Sequence, residues 1–142
     1  MPALNRKRRV LTALVTPLAR VGVGVPETYL LTVPGRRTGR PYTTPVRLVA
    51  VGGERWLVAP YGEREWVKNA RAAGRVELRR GRRRVVCGVE ELDAGERAPI
   101  LAEYIRCVPI VASFFDAPRG APPEAFAPEA ARHPVFRLRP QP

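Results

Sequence analysis

The sequence predicts a mainly β, α+β domain in which about six antiparallel strands close into a barrel, accompanied by an N-terminal helix, a short helix at 63–73 and a longer C-terminal helix. Three observations carry this expectation. Runs of strand length with alternating apolar residues fall at 28–33, 43–51, 55–59, 75–80, 83–92 and 135–138. Gly52, Gly53 and Gly81 stand between consecutive runs, where hairpin turns require them. Closing so many short strands into a barrel removes the exposed edges that an open sheet would leave. At 142 residues the chain fits one domain, 1–142, burying about two thirds of the surface its unfolded form exposes.

Residues 1–22 begin with the basic run Arg6-Lys7-Arg8-Arg9, followed by an apolar stretch from Val10 to Ala19. That stretch is too short to span a bilayer, is interrupted by Pro17 and has no Ala-x-Ala cleavage signal. It reads as a helix packing Leu11, Leu14, Val15 and Leu18 on the barrel, with peripheral membrane contact through its basic end as the alternative. A cytoplasmic location follows as the expectation, with membrane association through this helix as the alternative. Between Gly62 and Gly74, helical spacing places Trp66, Asn69, Ala70 and Ala73 on one face. Asp93-x-x-Glu96 resembles a capping box, and Pro99 is tolerated only near a helix start. The long helix is therefore expected from about Ala98, burying Ile100, Leu101, Tyr104, Ile105 and Val108. Residues 110–115 fit strand or helix. The segment 117–134 holds Pro118, Pro122, Pro123, Pro128 and Pro134, which predicts an irregular loop or lid.

The formal charge is +12, and 23 of the 25 basic residues are arginine. Eight of them (Arg6, Lys7, Arg8, Arg9, Arg20, Arg36, Arg37, Arg40) lie in residues 1–40 against Glu27 alone, so an anionic partner near this end is expected. The arginines fall in turns and at the N-terminus, without an aromatic stacking strand or a recognition helix, so no nucleic-acid partner is expected. The nucleophile inventory is thin, with Ser113 and His133 the sole members of their types and neither in a nucleophile context. Cys87 and Cys107 follow strand and helix apolar patterns and read as core residues, implying neither a disulfide nor a metal site. An enzyme built from this inventory would lean on a cofactor for its chemistry.

The turn Gly35-Arg36-Arg37-Thr38-Gly39-Arg40 supplies such a cofactor with a cradle. Glycine allows close backbone approach, and guanidinium groups grip phosphate or carboxylate with paired donors. Asn69 lies inside a helix on the face that carries Trp66, so it needs a hydrogen-bond partner, either a neighbouring loop or a ligand.

The cradle sequence, the Thr44-Pro45 step, Leu57-Val58-Ala59, Trp66-x-x-Asn69 and the closing His133-Pro134-Val135-Phe136-Arg137-Leu138 together resemble the deazaflavin-dependent nitroreductase and quinone reductase family, whose members use coenzyme F420. The resemblance implies a split β-barrel, FMN-binding-like and related to pyridoxamine phosphate oxidases. It also implies hydride transfer from reduced F420 to a quinone, a nitroaromatic or another activated double bond. It places Arg36, Arg37, Thr38, Gly39 and Arg40 against the cofactor's phosphate and oligoglutamate tail, and Thr44, Pro45 and Val46 beside the ring. Ala59, Pro60, Tyr61 and Gly62 would pass close to ring or phosphate, with Trp66 and Asn69 closing that side. Pro60-Tyr61 stands where family members often carry Ser-Lys, and the tyrosine-rich substrate wall is reduced to Tyr104 with Phe114 and Phe115. The product's proton would come from Tyr61, Tyr104 or solvent. FMN is the alternative cofactor; a non-catalytic barrel binding F420, FMN or haem is the alternative function, with a basic nucleic-acid-binding module ranked behind it. Monomer and homodimer both remain open.

Overall fold

The computed structural model describes residues 27–141; the expected N-terminal helix lies outside them. Six strands run β1 (Glu27–Pro34), β2 (Pro41–Val51), β3 (Glu54–Val58), β4 (Arg75–Arg80), β5 (Arg83–Glu91) and β6 (Val135–Pro140). All pair antiparallel and close in the order β1-β2-β3-β6-β5-β4. Every expected strand is present, with boundaries shifted by two residues at most. The turn glycines take left-handed φ values, +65° and +80° at Gly52 and Gly53 and +63° at Gly81, which L side chains adopt only with strain.

Strand alternation builds two apolar layers. Leu57 points into the barrel with Leu31, Leu48, Leu78 and Phe136, while its neighbours Trp56 and Val58 point outward. There they meet the long helix α2 (Ala98–Cys107), through Leu101 and Ile105, and Phe126 beyond it. Each of these large side chains contributes about 1.5–3 kcal/mol by leaving water. The expected stripe from Ile100 to Val108 is buried throughout.

Two expectations are corrected. Asp93 makes no side-chain cap; it precedes a single 3₁₀ turn at Ala94–Glu96, and the N-cap of α2 is Arg97. The buried Arg97 guanidinium secures this junction by donating to the carbonyls of Leu92 and Ala130 and to Glu91. Residues 117–134 are no lid, because Pro123–Arg132 wind into consecutive 3₁₀ turns that bury Phe126, Glu129 and Ala130 beside α2. Short 3₁₀ turns tolerate the proline density that rules out an α-helix. Of the strand and helix alternatives at 110–115 the chain takes helix, as 3₁₀ turns over Pro109–Phe114.

The short helix α1 (Glu65–Ala73) ends at Gly74, whose φ of +73° lets its N–H bond the carbonyl of Ala70 at 2.8 Å. Its buried face centres on Val67, Asn69 and Ala70, with Trp66 at the edge and Ala73 half-buried. Arg71 fastens the outer side, its Nε 2.7 Å from Glu91 on β5 and its Nη2 3.0 Å from Glu63. Among the described residues no helix is long and apolar enough to cross a membrane.

Candidate functional site

The β1–β2 turn and the first half of α1 face one another across a cleft of about 520 Å³ lined by Gly35, Arg36, Arg37, Thr38, Tyr42, Thr43, Thr44, Arg64, Glu65, Trp66 and Asn69. The turn is rigid for local reasons. Gly35 and Arg40 are bridged N–H to carbonyl at 2.8 Å, the Gly39 N–H reaches the Gly35 carbonyl at 2.9 Å, and Thr38 Oγ1 accepts from the Arg40 N–H at 3.2 Å. The Thr38 hydroxyl proton is thereby left to donate elsewhere. Gly35 leaves room for the Tyr42 ring, since a Cβ there would stand 2.8 Å from that ring and 3.2 Å from the Arg40 carbonyl.

Asn69 ties this turn to the helix. Its Oδ1 accepts from the Arg36 backbone N–H at 3.0 Å and from Arg36 Nη1 at 2.8 Å. Both partners are donors, so the orientation of the amide follows from chemistry. Of the two partners open in the sequence, Asn69 takes the loop. Arg36 Nη1 also meets Glu65 Oε1 at 2.9 Å. The hydrogen bond and charge of Arg36 hold the Glu65 carboxyl below its ordinary range, with Lys68 and Arg37 adding to the effect. The cleft thus joins guanidinium and hydroxyl donors to two aromatic walls, Tyr42 and Trp66, the latter packed toward Phe136 at 6.1 Å.

The other expected site residues disperse. Gly39 and Arg40 belong to the turn but do not line the cleft. Pro45 is exposed on β2, and Val46 packs toward the barrel interior. The 59–62 segment turns toward the C-terminal region: Ala59 is buried, Pro60 offers its carbonyl to His133, and Gly62 lies against the Arg132 carbonyl. Tyr61 is half-exposed, edge-on to Phe114 at 4.6 Å with Arg64 over its ring. Tyr104 is buried in the outer core, where desolvation, reinforced by Tyr61, drives its hydroxyl well above the ordinary tyrosine range. Cys87 is a core thiol, pushed up to about 12 by burial.

Tyr42, Thr43, Arg64 and Glu65 are lining residues that motif reading passed over. Glu65 had a signal, because it stands one helical turn before Asn69. Also unforeseen is a buried pair, His133 Nε2 and Glu129 Oε1 at 2.9 Å. Glu129 further accepts the N–H groups of Asp116 and Ala117, while Phe115 stacks on the imidazole at 4.0 Å. Burial works to raise the Glu129 carboxyl; these donors and His133 together overcome it and leave it below its ordinary value.

A closed six-stranded barrel carrying a basic, aromatic-walled cleft at one hairpin defines a split-barrel scaffold with a candidate site for a flat, anionic ligand. A family model described as F420H(2)-dependent quinone reductase matches residues 5–114, and the chain belongs to that family. It is an F420-dependent reductase, and its cofactor is coenzyme F420. Among solved structures it is similar to an F420-H2 dependent reductase, FDR-A, at 20% identity over 79% of this chain and 93% of that one, TM-score 0.55. An F420 reductase matches at 18% identity over 87% and 93%, TM-score 0.52. A putative pyridoxamine 5'-phosphate oxidase from Listeria innocua matches at 11% identity over 94% and 95%, TM-score 0.59. At these identities the structures show the shared split-barrel fold. No curated protein matches the chain.

Proposed function

We propose that the cleft between the β1–β2 turn and α1 is where this chain holds F420, and that a quinone is the acceptor it serves. The observation that carries this is the turn locked to Asn69, which aims Arg36 into a cleft large enough for a cofactor and walled by Tyr42 and Trp66. The donor set fits the cofactor: Arg36, Arg37 and Arg64 suit a phosphate and carboxylate tail, Thr38, Thr43 and Thr44 offer hydroxyl donors, and the aromatic walls suit a flat ring. When bound, the reduced cofactor supplies the hydride. The protein fixes the tail, shields the ring with its walls and leaves an opening for a hydrophobic acceptor. Neither Tyr61, packed edge-on to Phe114, nor Tyr104, sealed in the core, lines the cleft, so in this reading solvent supplies the product's proton.

Consumption of reduced F420 by the protein with menadione as acceptor, compared with a nitroaromatic acceptor, tests the reading. Turnover with the quinone is expected, and F420 should bind more tightly than FMN because the cradle holds more cations than one phosphate needs. Equal or tighter FMN binding, or no turnover with the quinone, overturns it.

A further inference from the structure

We propose that Glu65 is a built-in competitor for the Arg36 guanidinium, so that any anionic ligand entering the cleft must displace a carboxylate and only a ligand with several negative charges does so effectively. This inference rests on the cofactor reading above. Arg36 Nη1 donates to Asn69 Oδ1 at 2.8 Å and pairs with the Glu65 carboxylate, Oε1 standing 2.9 Å away. The two acceptors are not equivalent. Asn69 is neutral and 5% exposed, so it fixes the guanidinium without opposing an incoming anion. Glu65 is charged, and its side chain is 73% exposed at the rim. A phosphate reaching for Arg36 therefore meets a like charge at the same nitrogen.

Exposure makes this contact easy to break, because an ion pair facing water is weak. A ligand that touches Arg36 alone gains little by the exchange. One that also engages Arg37 and Arg64 recovers more than it displaces. Lys68 Nζ, 3.8 Å from Glu65 Oε2, gives the released carboxylate somewhere to go. Glu65 thus sets a threshold of ligand charge in a cradle that would otherwise retain any cellular anion.

Glu65→Gln preserves the shape and an acceptor oxygen while removing the charge. Titration should show F420 and inorganic phosphate each binding roughly fivefold more tightly to this variant than to the natural protein, the scale of an exposed ion pair. The tailless deazaflavin riboside should bind both alike, and the gain should shrink as salt is raised. Glu65→Ala should behave the same way and serves if the glutamine variant fails to fold by circular dichroism. Unchanged or weaker binding of F420 and phosphate in the variants overturns the competitor role and makes Glu65 a support for Arg36. A natural protein that fails to bind F420, while the variants still gain phosphate affinity, overturns the cofactor reading instead.

Discussion

Asn69→Ala isolates the contact on which the cleft depends. The side chain is nearly fully buried and its single oxygen takes two donors from Arg36, one neutral at 3.0 Å and one charged at 2.8 Å. Truncation leaves the part-buried Arg36 peptide N–H without its acceptor, at about 1 kcal/mol, the low end for an unsatisfied group that water still reaches. The guanidinium loses less, because Glu65 at 2.9 Å and water still serve it. Thermal unfolding should fall by about 2–4 °C for each kcal/mol in a chain of this size. Binding should split by ligand. On the proposed reading, in which the turn holds its tail, F420 should weaken roughly ten- to a hundredfold, since Arg36 must be reoriented at the moment of binding. The tailless riboside, which lacks phosphate and glutamates, should change less than about threefold. Equilibrium titration by cofactor fluorescence, alongside calorimetric unfolding, reads both quantities. Equal weakening of the two ligands would place Asn69 against the ring and refute the argument, as would an unchanged unfolding temperature.

Arg36→Ala with Arg37→Ala removes two charge-assisted contacts of about 1.5–3 kcal/mol each, so F420 affinity should fall a hundredfold or more while riboside affinity holds. Loss of both affinities together would make the turn a purely structural element. Glu129 gives a pH prediction with a definite sign: its folded carboxyl lies below its ordinary value, so its stabilisation is present above the unfolded pKa and is lost as pH falls through the folded one. Acid unfolding midpoints should show this limb in the natural protein and lack it in Glu129→Gln; an identical acid limb in both would assign it to other carboxylates.

What the sequence made legible was local. Strand alternation and turn glycines located all six strands because inward and outward positions differ in burial along each of them, as Trp56, Leu57 and Val58 illustrate. The arginine turn and its neighbours on α1 were legible as a group because their residue types carry anion-binding chemistry, and Arg36, Arg37, Thr38, Trp66 and Asn69 do line one cleft. Contacts between distant segments were not. Pro60 turns away from the cleft because His133, 73 positions later, holds its carbonyl. The proline-rich segment packs down because Glu129 gathers backbone donors 12 and 13 residues before it, which no spacing rule reports. On α1, Val67 takes the centre of the buried face because the helix leans on the barrel through Val67 and Ala70, leaving Trp66 at the cleft rim.

Gly35 offers the complement to Asn69, a change aimed at the ring wall. Its φ is not in the left-handed region, so alanine meets no backbone strain there, and the obstacle is contact. The added methyl would sit 2.8 Å from Tyr42 Cε2, closer than carbon atoms approach, and 3.2 Å from the Arg40 carbonyl. The carbonyl belongs to the Gly35–Arg40 bridge and yields only a few tenths of an ångström, whereas the Tyr42 ring is 52% exposed and free to swing. Gly35→Ala should therefore fold with a loss of about 1 kcal/mol or less, because the relief lies at the end of an exposed side chain. The displaced ring no longer walls the cleft. F420 and the tailless riboside should then weaken together, by roughly three- to tenfold, in contrast to the split expected for Asn69→Ala. A variant that keeps full riboside affinity while losing F420 would show that Tyr42 serves the tail, and the division of the cleft into an arginine end and an aromatic end would fail.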